Sequence, residues 1–241
     1  MTALASISIN PALDPAPFAQ AYARDGVVQI PVFLRSADAE AVAGQLAGLT
    51  WNVVAPDETS ETLVISSQVI QKFGEAQVRQ FLQGAIKRAA RGFSFVHLSY
   101  ALQDEYARDP APPIHRATEF LQGRDFLDFG AAVIGAQQVD GVRVQASNYR
   151  PGDFLTLHDD SHKRDDRLAA FTLGFTREWR PDWGGQLLFH DADGQIERGF
   201  MPGFNVLTLF RVPRAHSVAP VAAYAAAKRL SLTGWLVRES A

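Results

Sequence analysis

With 241 residues, 47% of them apolar and 20% charged, the chain carries enough material for one sizeable core and is too apolar for a disordered segment. A formal charge of −3 gives no field that would gather nucleic acid or an anionic membrane, and with no cysteine any metal must sit on His, Asp or Glu. The first 26 residues lack a basic segment and a sustained apolar run, and no window approaches the ~18 apolar residues of a membrane span, so a cytoplasmic protein is expected.

In chain order, "DPAPFAQAYARDG" has Asp14 as a cap, proline next and Gly26 as a stop, which predicts a short helix. "VVQIP" reads as a strand, and residues 36–49 as a helix capped by Ser36. Residues 75–92 place Val78, Phe81, Leu82 and Ile86 on one face of an amphipathic helix packed on a sheet. "FSFVHLSYAL" alternates as a strand, "DPAPPI" is a connection, and 115–135 read as helical with Gly130 as the weak point.

From Val142 the chain changes character to eight short β-runs: "VRVQASNY", "FLTLH", "LAAFTLGFT", "QLLFH", "IERGF", "NVLTLF", "HSVAPV" and "RLSLTGWLV". Gly, Pro and Asp punctuate them, the pattern of a β-sandwich or small barrel. "VAAYAAAK" reads as a loop or helical turn.

Six histidines are available as ligands. His158 ends the second β-run and Asp160 lies two positions on, so both can point the same way at the mouth of a sheet. His216 opens the seventh run. Two imidazoles and one carboxylate form the facial triad of non-haem iron(II) oxygenases, which keeps positions open for cosubstrate and oxygen. Spacing alone leaves a second reading open, a solvated turn plus an unrelated strand histidine. The last β-run bears on that choice. Arg229, Ser231, Thr233 and Trp235 share one face by the period of two, opposite Leu230, Leu232, Gly234 and Leu236. A face of that kind lines a cavity, and its arginine fork suits a carboxylate with the serine as helper.

"NYRPGDFLTLHDD", "WGGQLLFHD", "RAHSVAPV" and "KRLSLTGW" together resemble, in order, the signatures of the prolyl-4-hydroxylase-like 2-oxoglutarate/Fe(II) oxygenases, of the predicted proline hydroxylase type whose last motif is R-x-S-x-x-G-W. The resemblance implies a mainly β fold with flanking helices (α+β): a double-stranded β-helix, or jelly roll, with N-terminal helices packed on the larger sheet. One oxygenase domain is expected over 1–241, with 1–141 as a mixed buttress and 142–238 as the β-helix core. It implies Fe(II) on His158, Asp160 and His216, and 2-oxoglutarate held by Arg229 with Ser231, Tyr149 and Thr233. O2 is the oxidant and ascorbate a candidate reductant, and no catalytic residue is expected beyond the metal centre. Trp235 faces the metal cavity, and Arg143 and Gln145, on Tyr149's strand face, are candidate pocket residues that could equally meet solvent. Gly184 and Gly185 match a structural G-G turn. Two departures stand out: an insertion, "VAAYAAA", between His216 and Arg229, and Phe175 where many relatives carry a cosubstrate-binding tyrosine.

Asp159 competes with Asp160 but points to the other face of the chain. His97 reads as a packing residue on the face of Phe93 and Phe95, His115 as a helix-start residue without a partner, and His190 as exposed in a hairpin. His162 is expected in a solvated turn, the charges of 163–167 in a loop or a lid, and Trp179 and Trp183 in packing. The expected activity is hydroxylation of an unactivated C–H bond, with succinate and CO2 as coproducts. A prolyl residue of a protein or peptide is the leading substrate, and a small molecule or free amino acid the alternative. A metal-binding sensor and a zinc-dependent cupin-like enzyme are the readings outside that chemistry.

Overall fold

The computed structural model describes residues 6–161 and 166–239. Helix α1 (Pro15–Asp25) starts as its sequence dictates: the Asp14 carboxylate accepts from the Ala16 N–H at 3.0 Å, and Gly26 closes it in the left-handed region at φ 65°. Strand β1 (Val27–Pro31) follows, then α2 (Ser36–Ala47). Ser36 is the first helical residue of α2 rather than its cap; Arg35 takes that position without a side-chain bond. A hairpin not read from the sequence comes next, β2 (Asn52–Pro56) with β3 (Thr62–Ile65). Helices α3 (Ser67–Phe73) and α4 (Glu75–Ala89) lead to β4 (Phe95–Tyr100). In α4 Phe81 and Leu82 pack beside the buried Ala85 as expected, and of the expected face only Ile86 points outward, at 54% exposure.

After α5 (Leu102–Arg108) and a 3-10 turn, the segment expected as one helix is two, α6 (Arg116–Gln122) and α7 (Arg124–Ile134). The break falls at Gly123, not Gly130. Gly130 sits buried inside α7, where an added Cβ would lie 2.9 Å from Leu236 Cδ1; it is there for close approach of helix to sheet.

All eight β-runs of the second half form strands: β5 (Gly141–Tyr149), β6 (Phe154–His158), β7 (Asp166–Phe175), β8 (Leu187–His190), β9 (Ile196–Phe200), β10 (Phe204–Arg211), β11 (His216–Val218) and β12 (Arg229–Arg238). "VAAYAAAK" is a turn-rich loop. Every pairing is antiparallel, in the order β1-β10-β7-β12-β5-β4-β6-β11-β8-β9, with the β2–β3 hairpin attached to β4. Strand β4 is the fold line. Its C-terminal half, Leu98–Tyr100, pairs with β5, while Phe95 and Val96 pair with β6. The sheet therefore curls into a larger half and a smaller half, the jelly-roll layout. Four strands of the larger arrangement, β1 to β4, come from the first 100 residues; β1 pairs with β10, β2 with β3, and β4 with β5.

Helices cover the outer face of the larger half. Phe33, Leu46, Leu121 and Phe126 pack there on Phe171, Leu173, Leu207, Leu232 and Leu236 in one continuous core. Burial of that apolar area, at roughly 25 cal/mol per Å², is the main force fixing the register of β12. Its leucines take the core side, which turns Arg229, Ser231, Thr233 and Trp235 to the concave side. Trp179 and Trp183 pack edge to face at 5.4 Å, and Trp179 Nε1 donates to Gly184 O at 2.9 Å. Gly184 and Gly185 both have positive φ, and a Cβ on Gly184 would lie 2.0 Å from Pro220 O. No helix among the described residues is long and apolar enough to cross a membrane.

Candidate metal and anion site

The concave side holds a cavity of about 490 Å³ whose wall includes His158, Asp160, His216, Tyr149, Arg229 and Thr233. Two of these are placed by strand pairing. His158 and His216 sit directly opposite each other on β6 and β11, with ring centroids 4.0 Å apart. Each imidazole is oriented by its own backbone: His158 Nδ1 meets Thr156 O at 2.9 Å and His216 Nδ1 meets Arg214 O at 2.7 Å. A carbonyl only accepts, so both Nδ1 atoms carry the proton and both Nε2 lone pairs face the cavity.

Asp160 completes the group by an unusual backbone conformation, φ 62°, which turns its carboxylate back toward the rings. Its two oxygens lie 3.4 Å from His158 Nε2 and 3.4 Å from His216 Nε2. Burial alone would raise this carboxyl; against protonated imidazoles, whose Nε2–H would donate to it, the group is instead held well below the usual carboxylate range, a place that a metal cation takes when the rings are neutral. The three donors lie within 4.8 Å of one another. Two neutral imidazole nitrogens and one ionised oxygen suit a first-row divalent ion, Fe(II) among them. Asp159 is exposed and accepts from the Ser161 N–H at 2.9 Å, turned away from the group.

Arg229, 5% exposed, is the second feature. Among the described residues no carboxylate pairs with it and no side-chain hydrogen bond holds it; its guanidinium lies 5.0 Å from the centre of the Tyr149 ring. Burial lowers its pKa, yet a guanidinium stays charged. Burial likewise pushes the Tyr149 hydroxyl up to about 12, so it remains a donor. Ser231 sits behind the wall, its hydroxyl 2.9 Å from that of Ser147, which does face the cavity.

Gln145, Thr233 and Trp235 reach the wall, whereas Arg143 is exposed and lies outside it. Trp235 is covered by the Arg167 guanidinium at 3.9 Å, and Arg167 Nη1 also donates to Asp160 O at 3.1 Å. Phe175 does not take a tyrosine's place in the anion pocket. Like Phe171 and Leu173 it points into the core under the helices, edge to face with Phe204 at 6.2 Å.

The other histidines divide. His115 does have partners, Tyr100 Oη at 2.9 Å and Asp109 O at 2.6 Å. His190 is half-buried and bonds Ser217 Oγ at 2.9 Å, not exposed as expected. His162 and residues 163–165 lie outside the described residues. His97 packs on Phe95 as expected and also stacks on Tyr149, and it lines the cavity, as do Phe93, Phe95, Val54 and Thr62. The alternation of 93, 95 and 97 was visible in the sequence; that this face meets Tyr149 follows only from the β4–β5 register.

Residues 144–237 match the family described as the 2OG-Fe(II) oxygenase superfamily. No curated protein matches the chain in sequence. Among solved structures it is similar to a Pseudomonas putida prolyl-4-hydroxylase, at 22% identity and TM-score 0.57, over 94% of this chain and 100% of that one. A 2OG-Fe(II) oxygenase family oxidoreductase from Burkholderia pseudomallei aligns at 16% identity and TM-score 0.61, over 97% and 94%. A prolyl hydroxylase from Trichoplax adhaerens, solved with a hypoxia-inducible-factor degradation-domain peptide, aligns at 18% identity and TM-score 0.58, over 92% and 88%. Over its β-rich part the chain thus resembles the 2OG-Fe(II) oxygenase superfamily, and it shares its fold with prolyl-4-hydroxylase-like structures.

Proposed function

We propose that the cavity hydroxylates a prolyl residue of a protein or peptide. In this reading His158, Asp160 and His216 hold Fe(II), and Arg229 receives the distal carboxylate of 2-oxoglutarate. Tyr149, Thr233 and the Ser147–Ser231 pair provide the hydroxyls around that anion, and Gln145 and Trp235 line the substrate side. The observation that carries the reading is the Arg229 guanidinium, buried and without a carboxylate partner among the described residues, on the wall of the same cavity as the triad. Leaving such a charge uncompensated costs several kcal/mol, which a dicarboxylate arriving beside the metal recovers.

Oxidation of the C–H bond is the chemistry that Fe(II), 2-oxoglutarate and O2 supply together, with succinate and CO2 as coproducts. The protein's share is binding and exclusion. The Nδ1 bonds of His158 and His216 keep both rings in the ligating tautomer. Phe93, Phe95 and Leu155 give the cavity a dry side that suits a saturated ring. The prolyl-4-hydroxylase and peptide-bound prolyl hydroxylase among the fold neighbours support a prolyl substrate, and an α-ketoglutarate-dependent epimerase of nogalamycin biosynthesis with the same fold makes a small molecule the alternative. A sensor or a zinc hydrolase has no use for Arg229.

Anaerobic addition of Fe(II) and 2-oxoglutarate is expected to give a weak visible charge-transfer band. That band disappears in His158→Ala and in Arg229→Ala. No band in metal-loaded wild type, or a band surviving both substitutions, overturns the reading. Mass spectrometry of proline-containing peptides after turnover then looks for products one oxygen heavier; a heavier free amino acid instead favours the small-molecule alternative.

A further inference from the structure

Of the three described histidines on the cavity wall, His97 is the one that the metal and anion chemistry leaves unused. Neither of its ring nitrogens hydrogen-bonds a described residue, and Nδ1 is fully covered. The other four described histidines each make such a bond. If packing on Tyr149 were its whole task, phenylalanine would stack as well without burying an unpaired polar atom. Covered Nδ1 is out of a ligand's reach, but Nε2 is not covered and also lacks an internal partner, and on a cavity wall that is explained by a partner that arrives with a ligand.

Strand register says which ligand. Leu98 pairs with Asn148, which sets His97 beside Tyr149, and Arg229 pairs with Tyr149 on the other side. Strand β5 lies between β4 and β12, so the tyrosine ring separates imidazole from guanidinium. The imidazole lies flat on it, at 4.8 Å and 11°, and Val54 of the hairpin is His97's partner on its far side. His97 is thus screened from the anion site and turned to the hairpin side of the cavity. A line of rings connects it to the metal end: His158 to Phe93 at 5.5 Å, Phe93 to Phe95 at 5.6 Å, and Phe95 to His97 at 5.6 Å. His97 is the polar end of an otherwise apolar wall.

Burial and the charges of Arg229 and Arg150 push its imidazole down to about 3, so it is neutral at ordinary pH. With no internal bond fixing its tautomer, it can present an N–H to an uncharged acceptor. A carboxylate is held better by Arg229, and an ammonium is disfavoured by the charges of Arg229 and Arg150 near this imidazole. A prolyl residue inside a chain has the matching chemistry, a saturated ring for the phenylalanines and an amide carbonyl beside it.

Resting on the prolyl hydroxylase reading, we propose that His97 is a substrate-binding residue that donates a hydrogen bond to an amide carbonyl flanking the target proline, and thereby selects chain-internal proline over free proline.

The test uses holoenzyme with Fe(II) and 2-oxoglutarate under nitrogen, and follows binding of N-acetyl-L-proline N-methylamide and of free L-proline through their perturbation of the visible band. Wild type is expected to bind the blocked residue in preference to free proline. His97→Phe keeps the stacked ring and should retain the wild-type 2-oxoglutarate midpoint while losing about tenfold in affinity for the blocked residue. His97→Asn, which restores a donor, should recover part of that loss. Equal binding of the blocked residue by His97→Phe and wild type makes His97 a packing residue and leaves the prolyl reading intact. Loss of the 2-oxoglutarate band itself in His97→Phe also overturns the proposal, since His97 would then act through Tyr149. Wild type that prefers free proline refutes the selectivity, and wild type that takes neither probe refutes the prolyl reading with it.

Discussion

The two ends of the cavity are built on opposite principles. At the metal end every donor is oriented before anything binds: the Nδ1 atoms of His158 and His216 are tied to backbone carbonyls, which aims both Nε2 atoms at the cavity, and Asp160 is bent back onto them at positive φ. At the Tyr149 end rings are stacked and polar groups are left over, a guanidinium on one side of the phenol and an imidazole on the other. The first end is rigid because a metal tolerates little misplacement of its donors. The second stores unmet polarity, which lowers the stability of the empty protein and raises the affinity for whatever satisfies it.

The largest effect should follow from removing the stored charge. Arg229→Met is expected to weaken 2-oxoglutarate binding on the order of 100-fold or more, since a buried charge pair loses one partner. The same substitution should leave the empty protein as stable as wild type or more so, because an unpaired buried cation is replaced by a well-packed side chain. Isothermal titration and urea unfolding without ligand measure the two. Parallel loss of binding and of stability would mean that Arg229 is paired in the free protein, and the contrast between the ends would collapse.

A smaller effect is expected at the committed end. Co(II), as a redox-stable stand-in, should stabilise wild type by about 2.7 kcal/mol at a free concentration 100 times its Kd. For a chain of this length that is a rise in Tm of several degrees, read by calorimetry. His216→Ala should abolish the rise while changing the metal-free Tm little, because a ring whose main bond is local to its own loop contributes less to the core than the leucines behind it. An undiminished Co(II) response in that variant would place the metal elsewhere.

The same division explains what the sequence could show. The metal end is written in short-range pattern: H-x-D at the end of a strand, and a histidine opening another. That Arg229 and Thr233 face the cavity was legible because β12 alternates, with leucines on its other face, whereas Ser231 lies behind the wall. His97 shared a face with Phe93 and Phe95 on inspection, yet its place depends on β4 folding the sheet and lying against Tyr149, a register that no local pattern encodes. Phe175 misled for a related reason, since matching motif positions does not establish which face of β7 looks inward. The β2–β3 hairpin was missed because β3 is exposed along most of its length and so lacks the alternation that marks a half-buried strand. By its sequence Gly130 is the weak point of the helical segment, yet Gly123 is where it breaks. Packing decided between them, because Leu236 occupies the space that a side chain at 130 would need.

The smallest effect separates the two ends by their response to acid. His97 is held neutral in the folded protein with its pKa at about 3, against 6.5 for the free side chain. The unfolded chain therefore takes up a proton below 6.5 that the folded protein refuses, so this residue lowers stability as pH falls from 6.5 towards 3. Within that window the loss is about 1.4 kcal/mol per pH unit. His97→Phe removes it. Its stability relative to wild type, from urea unfolding of the metal-free proteins, should improve by about that amount between pH 6 and pH 5. The carboxylates, Asp160 included, titrate alike in both proteins and cancel from the difference. A difference flat with pH would show that the imidazole accepts a proton in the folded state. It would then carry charge in the cavity, and the uncharged hydrogen bond assigned to it would have no donor of the right kind.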